Sequence, residues 1–498
     1  MRDYIHVPNT VRWNDIVSNK FTLSSAQYVR LVMPNNNFKP VKDFLERPLQ
    51  GDDLGVEIGS LNYIDKSPYR FIRTKALQEH SFLPEINKET ALPIMPSEFV
   101  QMNLQEGDLL ISKDSNIGEI VILEKDYPTS MLSGAIYRLP VKKEWRYYLL
   151  AFIKHNIFRE QLDFKVPKGA TIRHAKTMFL DCLIPLPNQK VEETIKYISL
   201  LTQAIVNKEK LIRERHEAIM QIIENELKDN QKSTVFSYNM PKYNEVKEIG
   251  RLDTGLYSRE FCCWNNLVKN YINGSVNLID RGFTYTRGTS LEQNFIKTRI
   301  DSDKYIKGFY ELVLPTNISQ YGYVEKSTYI GTPTELKTIK KGDIIFGGEG
   351  FGKGRTFVVV EDSQNVATNY HGIRIINTNN DLEESIFIRC FLAFWREKGM
   401  IDYIGVGGSG GHCAPAYFPM IETPIFAPEK QEKVVSLYYN EQDYDSSNYK
   451  LDNFIENDNA FNSVAGIYEL DKSAKRLKEK LNKSIDDIIN DRLIDISF

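Results

Sequence analysis

The strongest constraint in this sequence is that it repeats. Gly107–Asp108–Leu109–Leu110–Ile111 returns as Gly342–Asp343–Ile344–Ile345–Phe346, an offset of 235 residues. Ala151–Phe152, inside YYLLAFIKHNIFREQLDF, returns as Ala393–Phe394 inside IRCFLAFWREKGMIDYI, an offset of 242. Polar stretches containing glycine follow each, VPKGATIRHAKTMF and GVGGSGGHCAPAYF. Each unit then closes on an apolar strand ended by proline, DCLIPLPNQK and ETPIFAPEKQ. Four features in one order at nearly constant spacing define two copies of one unit.

Within each copy the local signals agree. IGEIVIL (117–123) and RTFVVVE (355–361) are short β-branched runs that follow a loop after the Gly-Asp strand, as strands do. A single amphipathic helix is expected near 145–162 and again near 384–400. Mostly strand with one or two helices, each copy reads as an α+β domain of roughly 180 residues.

After the first copy the periodicity changes. From Glu192 to Leu227, apolar residues fall at Ile195, Ile198, Leu201, Ile205, Leu211, Ile212, Ile219, Ile222, Ile223 and Leu227, with no Gly or Pro. Spacings of mostly three and four predict one amphipathic helix, roughly 50 Å long at about 1.5 Å per residue. Its apolar stripe needs a covering helix. Ile467, Leu470, Ala474, Leu477, Leu481, Ile485, Ile488 and Ile489 supply one near the C-terminus. The expected organisation is therefore a first domain over 1–190, a spacer helix over 191–230 and a second domain over 231–440. An acidic insert and a second long helix follow over 441–498, the two long helices pairing as an antiparallel coiled coil.

Charge and cysteine usage narrow the class. At 498 residues the chain is long enough for two to four domains. Its formal charge of −3 disfavours a protein that coats nucleic acid through bulk positive charge. That charge is uneven: +3 over 1–190, zero over 241–440 and −5 over 441–498. Cys182, Cys262, Cys263, Cys390 and Cys413 form no C-x-x-C pair and are expected to be reduced thiols. The start MRDYIHVPNT lacks a signal-peptide pattern, and no apolar run reaches about 18 residues. A cytoplasmic protein is expected.

Catalytic motifs fail on detail. Phe346–Gly354 reads FGGEGFGKG, but Lys353 is followed by Gly354 where a phosphate-binding loop needs Ser or Thr, and a strand follows where a dinucleotide loop opens a helix. A loop between strands is the better reading. The Asn/Asp-Pro-Pro-aromatic motif of amino-methyltransferases is absent, since the chain has no Pro-Pro pair. Asp343, Glu349 and Lys353 lack the spacing of a metal-dependent nuclease, and the seven histidines show no zinc spacing. No catalytic residue, metal site or bound cofactor is expected, and the chain reads as a binder.

Polar and basic residues do gather where loops should face outward. In the first copy these are Lys113, Ser115, Asn116, Lys168, Thr171, Arg173 and His174. In the second they are Lys353, Arg355, Asn369, Tyr370, Ser409 and His412. Arg and Lys hold phosphate or guanine oxygens, and Asn, Ser and His read base edges.

The Gly-Asp strands, the loops at 169–174 and 405–412, and the strands IPLP (184–187) and TPIFAP (423–428) each recur in the same order, and a long helix lies beyond each copy. RLDTGLY (251–257) adds an Arg-x-Asp…Tyr opening, with FTLSSAQY (21–28) as its degraded counterpart. In this order and duplication the chain resembles, over essentially its whole length, the DNA-specificity subunit of type I restriction–modification enzymes.

The resemblance implies two target-recognition domains, each reading half of a split double-stranded DNA site, and a coiled coil that fixes the gap. It further implies that the helices, through residues such as Ile205, Ile212, Ile219, Leu477, Leu481 and Ile485, bind two methyltransferase subunits, which would use S-adenosylmethionine. Restriction/translocase subunits join in turn, and the chain is inactive alone. Two departures stand out. NEQDYDSSNYKLDNFIENDNAFNS (440–463) interrupts the second helix, and the second copy's loops are richer in glycine, so the halves are expected to read unlike sequences. Other readings are the specificity portion of a related methyltransferase/nuclease defence enzyme, and a coiled-coil scaffold of a defence assembly that binds protein rather than DNA.

Overall fold

A computed structural model describes residues 4–18, 21, 23, 25–166, 175–233, 235–292, 294–362, 365–407 and 411–498. Two compact units divide the chain: Met1–Leu211 with Asp443–Ser463 and Leu470–Phe498, and Ile212–Gln442 with Val464–Glu469. Both are α+β.

The repeat extends to strand pairing. In the first unit, Leu109–Ser112 lies between Ile120–Ile122 and Ile136–Leu139, antiparallel to both. In the second, Ile344–Gly347 lies between Thr356–Val358 and Gly372–Asn377 in the same way. Register is kept to the residue, with Leu110 opposite Arg138 and Ile345 opposite Arg374. A second sheet in each unit contains one parallel pair, Arg70–Ile72 with Ser130–Leu132 and Tyr310–Leu312 with Val366–Ala367. The proline-ended strands Leu183–Pro185 and Glu422–Pro424 pair antiparallel with Phe38–Pro40 and Ser275–Asn277.

The recurring Gly-Asp pair has a physical reason. Gly107 and Gly342 sit at φ +88° and +85°, where a β-carbon is disfavoured. The aspartate then folds back on the turn: the Gln105 N–H donates to Asp108 at 2.9 Å and the Lys340 N–H to Asp343 at 2.6 Å. The same carboxylates face an arginine on the neighbouring strand, Arg138 at 3.8 Å and Arg374 at 2.6 Å. Burial pushes the Asp343 carboxyl up from its usual range, and Arg374 works against that shift.

The long helix runs Val191–Asp229. In the first unit its residues Ile198, Leu201 and Ile205 share one core with Leu477, Leu481 and Ile485 of the C-terminal helix Ile467–Ile489. The two run antiparallel there: Tyr197 bonds Ser484, whereas Glu209, further along, meets Lys478 at 2.7 Å. In the second unit Ile212, Ile219, Met220, Ile223 and Leu227 are buried. Near them His216 lies 3.5 Å from Glu397, and Tyr271 donates to Glu226 at 2.9 Å.

Two expectations change. The single helix near 145–162 is two, Arg146–Lys154 and Asn156–Lys165. His155 between them is extended, and its ring accepts the Ile157 N–H as a cap. Its counterpart runs Leu382–Glu397, and after Gly399 at φ +77° a short helix Met400–Ile404 follows.

The insert, expected only as an interruption, forms the helix Phe454–Val464, of which residues 454–463 belong to the first unit. Lys208 of the long helix is fully buried, 2.8 Å from Asp458 and 2.6 Å from Asn462 Oδ1. Its ammonium also lies 4.6 Å and 4.9 Å from the Tyr444 and Phe461 ring centroids. All five cysteines are free thiols, and burial pushes Cys182 and Cys413 up to about 12. Among the described residues no helix is long and apolar enough to cross a membrane.

Two stability predictions follow from these carboxylates. Asp458→Ala strands the buried Lys208 charge and should cost about 3–5 kcal/mol in urea unfolding, whereas Lys208→Met with Asp458→Leu should recover most of it. Asp343→Ala should lower the unfolding midpoint well beyond Asp108→Ala. The Asp343 side chain is 5% exposed against 26% for Asp108, so costs of about 3 and about 1 kcal/mol are expected.

Candidate nucleic-acid interface

The loop that joins Ile344–Gly347 to Thr356–Val358 is glycine-rich because it folds tightly on itself. A β-carbon on Gly347 would lie 1.9 Å from the Gly352 carbonyl oxygen, and one on Gly352 would lie 2.7 Å from Pro315. Gly350 and Gly354 adopt φ +65° and +71°. The glycines serve the turn, and Phe351 at its tip is 93% exposed.

Beside this loop the second unit gathers a polar cluster from separate segments. Glu349 accepts from His371 Nδ1 at 2.5 Å, and its second oxygen lies 3.8 Å from His412 Nδ1. Arg287 NH2 lies 3.1 Å from His412 Nε2 and donates to it. A guanidinium has no acceptor, so Nε2 accepts, and Nδ1 has no hydrogen-bond partner among the described residues. Arg287 also packs 4.5 Å from the Tyr370 ring centroid and donates to the Tyr370 carbonyl at 3.2 Å. The His371 hydrogen bond, above all, holds the Glu349 carboxyl below its usual range. Glu349 is therefore an ionised, acceptor-only group at neutral pH.

Of the residues singled out by sequence in this unit, Tyr370 and His412 belong to the cluster. Lys353 lies at its edge, 2.7 Å from Asp402 and 14% exposed. Arg355 points elsewhere: NH1 donates to the Ile318 and Thr316 carbonyls at 2.7 and 3.3 Å, tying the loop to the backbone. Asn369 presents its carbonyl to Gly288, where a β-carbon would come within 2.2 Å, and its buried side-chain oxygen has no hydrogen-bond partner among the described residues. Ser409 lies outside the described residues.

In the first unit Ser115 and Asn116 are exposed and line a cleft of about 330 Å³ with Glu79, Glu119, Arg159 and Asp163. Arg159 is 2.5 Å from both Glu79 and Glu119, and Lys113 is 2.9 Å from Asp114. Burial lowers the nearby Lys154 ammonium to about 8. Lys168, Thr171, Arg173 and His174 lie outside the described residues. Ile205, Ile212, Ile219, Leu477, Leu481 and Ile485 are all buried inside the chain's own units. Any partner bound along these helices would meet their other faces, because these apolar residues are already buried within the chain.

Equivalent backbone bonds align the two rims. The Lys113 N–H donates to the Ala135 carbonyl and the Gly348 N–H to that of His371, while the Ala175 and Cys413 N–H groups donate to Lys113 and Gly348. His174 and His412 each precede those last donors in the sequence. Sequence reasoning missed Arg287 and His371. Arg287 ends the plain strand Phe283–Arg287, and no local pattern marks it.

RLDTGLY acts as a staple within the second unit. Arg251 bonds Asp253 at 2.5 Å and the Ile404 carbonyl at 2.8 Å, and it stacks 4.4 Å from the Tyr417 ring centroid. The Tyr257 hydroxyl donates back to the Arg251 carbonyl. Among the described residues no group of three or more His, Cys, Asp or Glu could hold a metal ion.

No protein-family model and no curated protein matches the chain. Solved structures do align with it. A type I restriction–modification system S subunit from M. genitalium covers 93% of this chain and 98% of its own, at 12% identity and a TM-score of 0.39. The HsdS subunit from Thermoanaerobacter tengcongensis covers 93% and 98% at 12% identity and 0.26. A structure described as underlying complex assembly and conformational transition of the type I R-M system covers 92% and 99% at 11% identity and 0.28.

Arg355→Ala should act through the fold, lowering the melting temperature by several degrees as two carbonyl hydrogen bonds are lost. Differential scanning calorimetry checks it.

Proposed function

We propose that this chain is the non-catalytic DNA-specificity subunit of a type I restriction–modification complex. Each unit reads one half of a bipartite double-stranded DNA site. The long helices serve as spacer and, through their polar faces, as the meeting surface for two methyltransferase subunits and for restriction/translocase subunits, in the cytoplasm.

The observation that carries this reading is the duplication. Two units share the order and register of three central strands and the Gly-Asp/Arg turn, while the residues on their loop rims differ. A scaffold repeated with altered rims suits a reader of two half-sites, as two-fold dimers suit symmetric ones. The near-neutral charge of the units fits recognition within a complex, where partners supply much of the phosphate contact.

Co-expressed and purified with the methyltransferase subunit of its own system, the complex should methylate adenine in a single interrupted motif, mapped genome-wide by modification-sensitive sequencing. An uninterrupted motif, or no motif with a partner known to be active, would sink the reading. So would cleavage or methyl transfer by the chain alone.

A further inference from the structure

The two units keep their scaffold and change one rim. Gly55 and Gly288 face carbonyls at equivalent places, and the Gly-Asp turn and its arginine recur. Positions placed by the same register do not recur: Arg287 corresponds to Leu54, each opposite the matching strand residue, Ile373 or Tyr137. By the same backbone bonds His371 corresponds to Ala135. Glu349 corresponds to Asp114, whose carboxylate is paired at 2.9 Å with Lys113.

Both copies thus carry a rim carboxylate here, but in the second unit Gly348 replaces the lysine that pairs with it, and His371 hydrogen-bonds the carboxylate instead. His371 donates to one oxygen, His412 Nδ1 lies 3.8 Å from the other without a hydrogen-bond partner among the described residues, and Arg287 donates to His412 Nε2. The Glu349 side chain remains 34% exposed, and Phe351 and Tyr370 are exposed as well. A carboxylate has about four acceptor positions, and two histidines cannot fill them. An oriented acceptor with no donor of its own suits an exocyclic amino group in the major groove, cytosine N4 or adenine N6, and rejects the oxygen edges of guanine and thymine.

We infer that Glu349, positioned by His371, His412 and Arg287, is a specificity-determining residue of the second unit and selects an amino-bearing base at one position of its half-site. This rests on the proposed DNA-reading role.

The experiment compares the complete methyltransferase complex carrying wild-type chain, Glu349→Gln or Glu349→Asp, with methylated motifs mapped in each. Glu349→Gln keeps the shape but places an amide donor where only acceptors stood. It should relax or change discrimination at one position of one half-site by about tenfold or more, leaving the other half-site unaltered. Whether that position reads cytosine or adenine identifies the base. An unchanged motif in Glu349→Gln overturns the inference while leaving the DNA-reading role intact. If Glu349→Gln lowers the melting temperature and abolishes all DNA binding, Glu349→Asp decides: a shifted motif supports the inference and an unchanged one overturns it. If the wild-type complex methylates no interrupted motif, the functional reading itself falls, and the inference with it.

Discussion

A helix of 39 residues with one apolar face cannot stand alone in water. Much of this molecule follows from covering that face. Residues 191–211 of the helix belong to the first unit and residues 212–229 to the second, so each unit solves the problem for its own stretch. The first brings the C-terminal helix and the insert. The second buries Ile212, Ile219 and Ile223 and sets His216 and Glu226 against its own polar partners. The cost of covering a continuous stripe is that a few charges are enclosed with it. Lys208 is tolerated because carboxylate, amide and two aromatic rings surround it.

The duplicated turn shows how a short motif can be kept without any chemistry of its own. Glycine supplies the backbone angle, aspartate satisfies the N–H three residues back, and the leftover charge engages an arginine across the strand. Asp343 therefore belongs to the scaffold, although beside Glu349 and Lys353 it invites comparison with a nuclease. The distinction between scaffold and rim separates residues that any copy of the fold requires from those free to differ between copies.

Local periodicity made the helices legible. The stripe from Ile195 to Leu227 lies within the observed Val191–Asp229, and the residues from Ile467 to Ile489 coincide with the C-terminal helix. The repeat made the matching strands legible, because Gly-Asp and the proline-ended runs mark the same places twice. The break at His155 was not, since histidine is no helix breaker and only the folded chain places its ring to cap the next helix. The rim was legible in part. Tyr370 and His412 lie there, but Arg355 is turned inward by carbonyls from residues 316 and 318. Glu349, Arg287 and His371 come from distant segments whose local patterns say nothing of one another. Convergence of this kind is a property of topology, and spacing along the chain does not encode it.

The insert that buries Lys208 also affects the order in which the protein can be completed. Residues 1–211 leave the ribosome with part of their core unsynthesised, because Asp458, Leu477, Leu481 and Ile485 belong to the same unit. The second unit, contiguous apart from residues 464–469, has nearly all of its chain by Gln442. Synthesis runs from the N-terminus, yet the N-terminal unit is the last to have its full sequence. During that interval the apolar face of residues 191–211 waits for a partner still being made, and a nascent chain in this state is a natural client for chaperones.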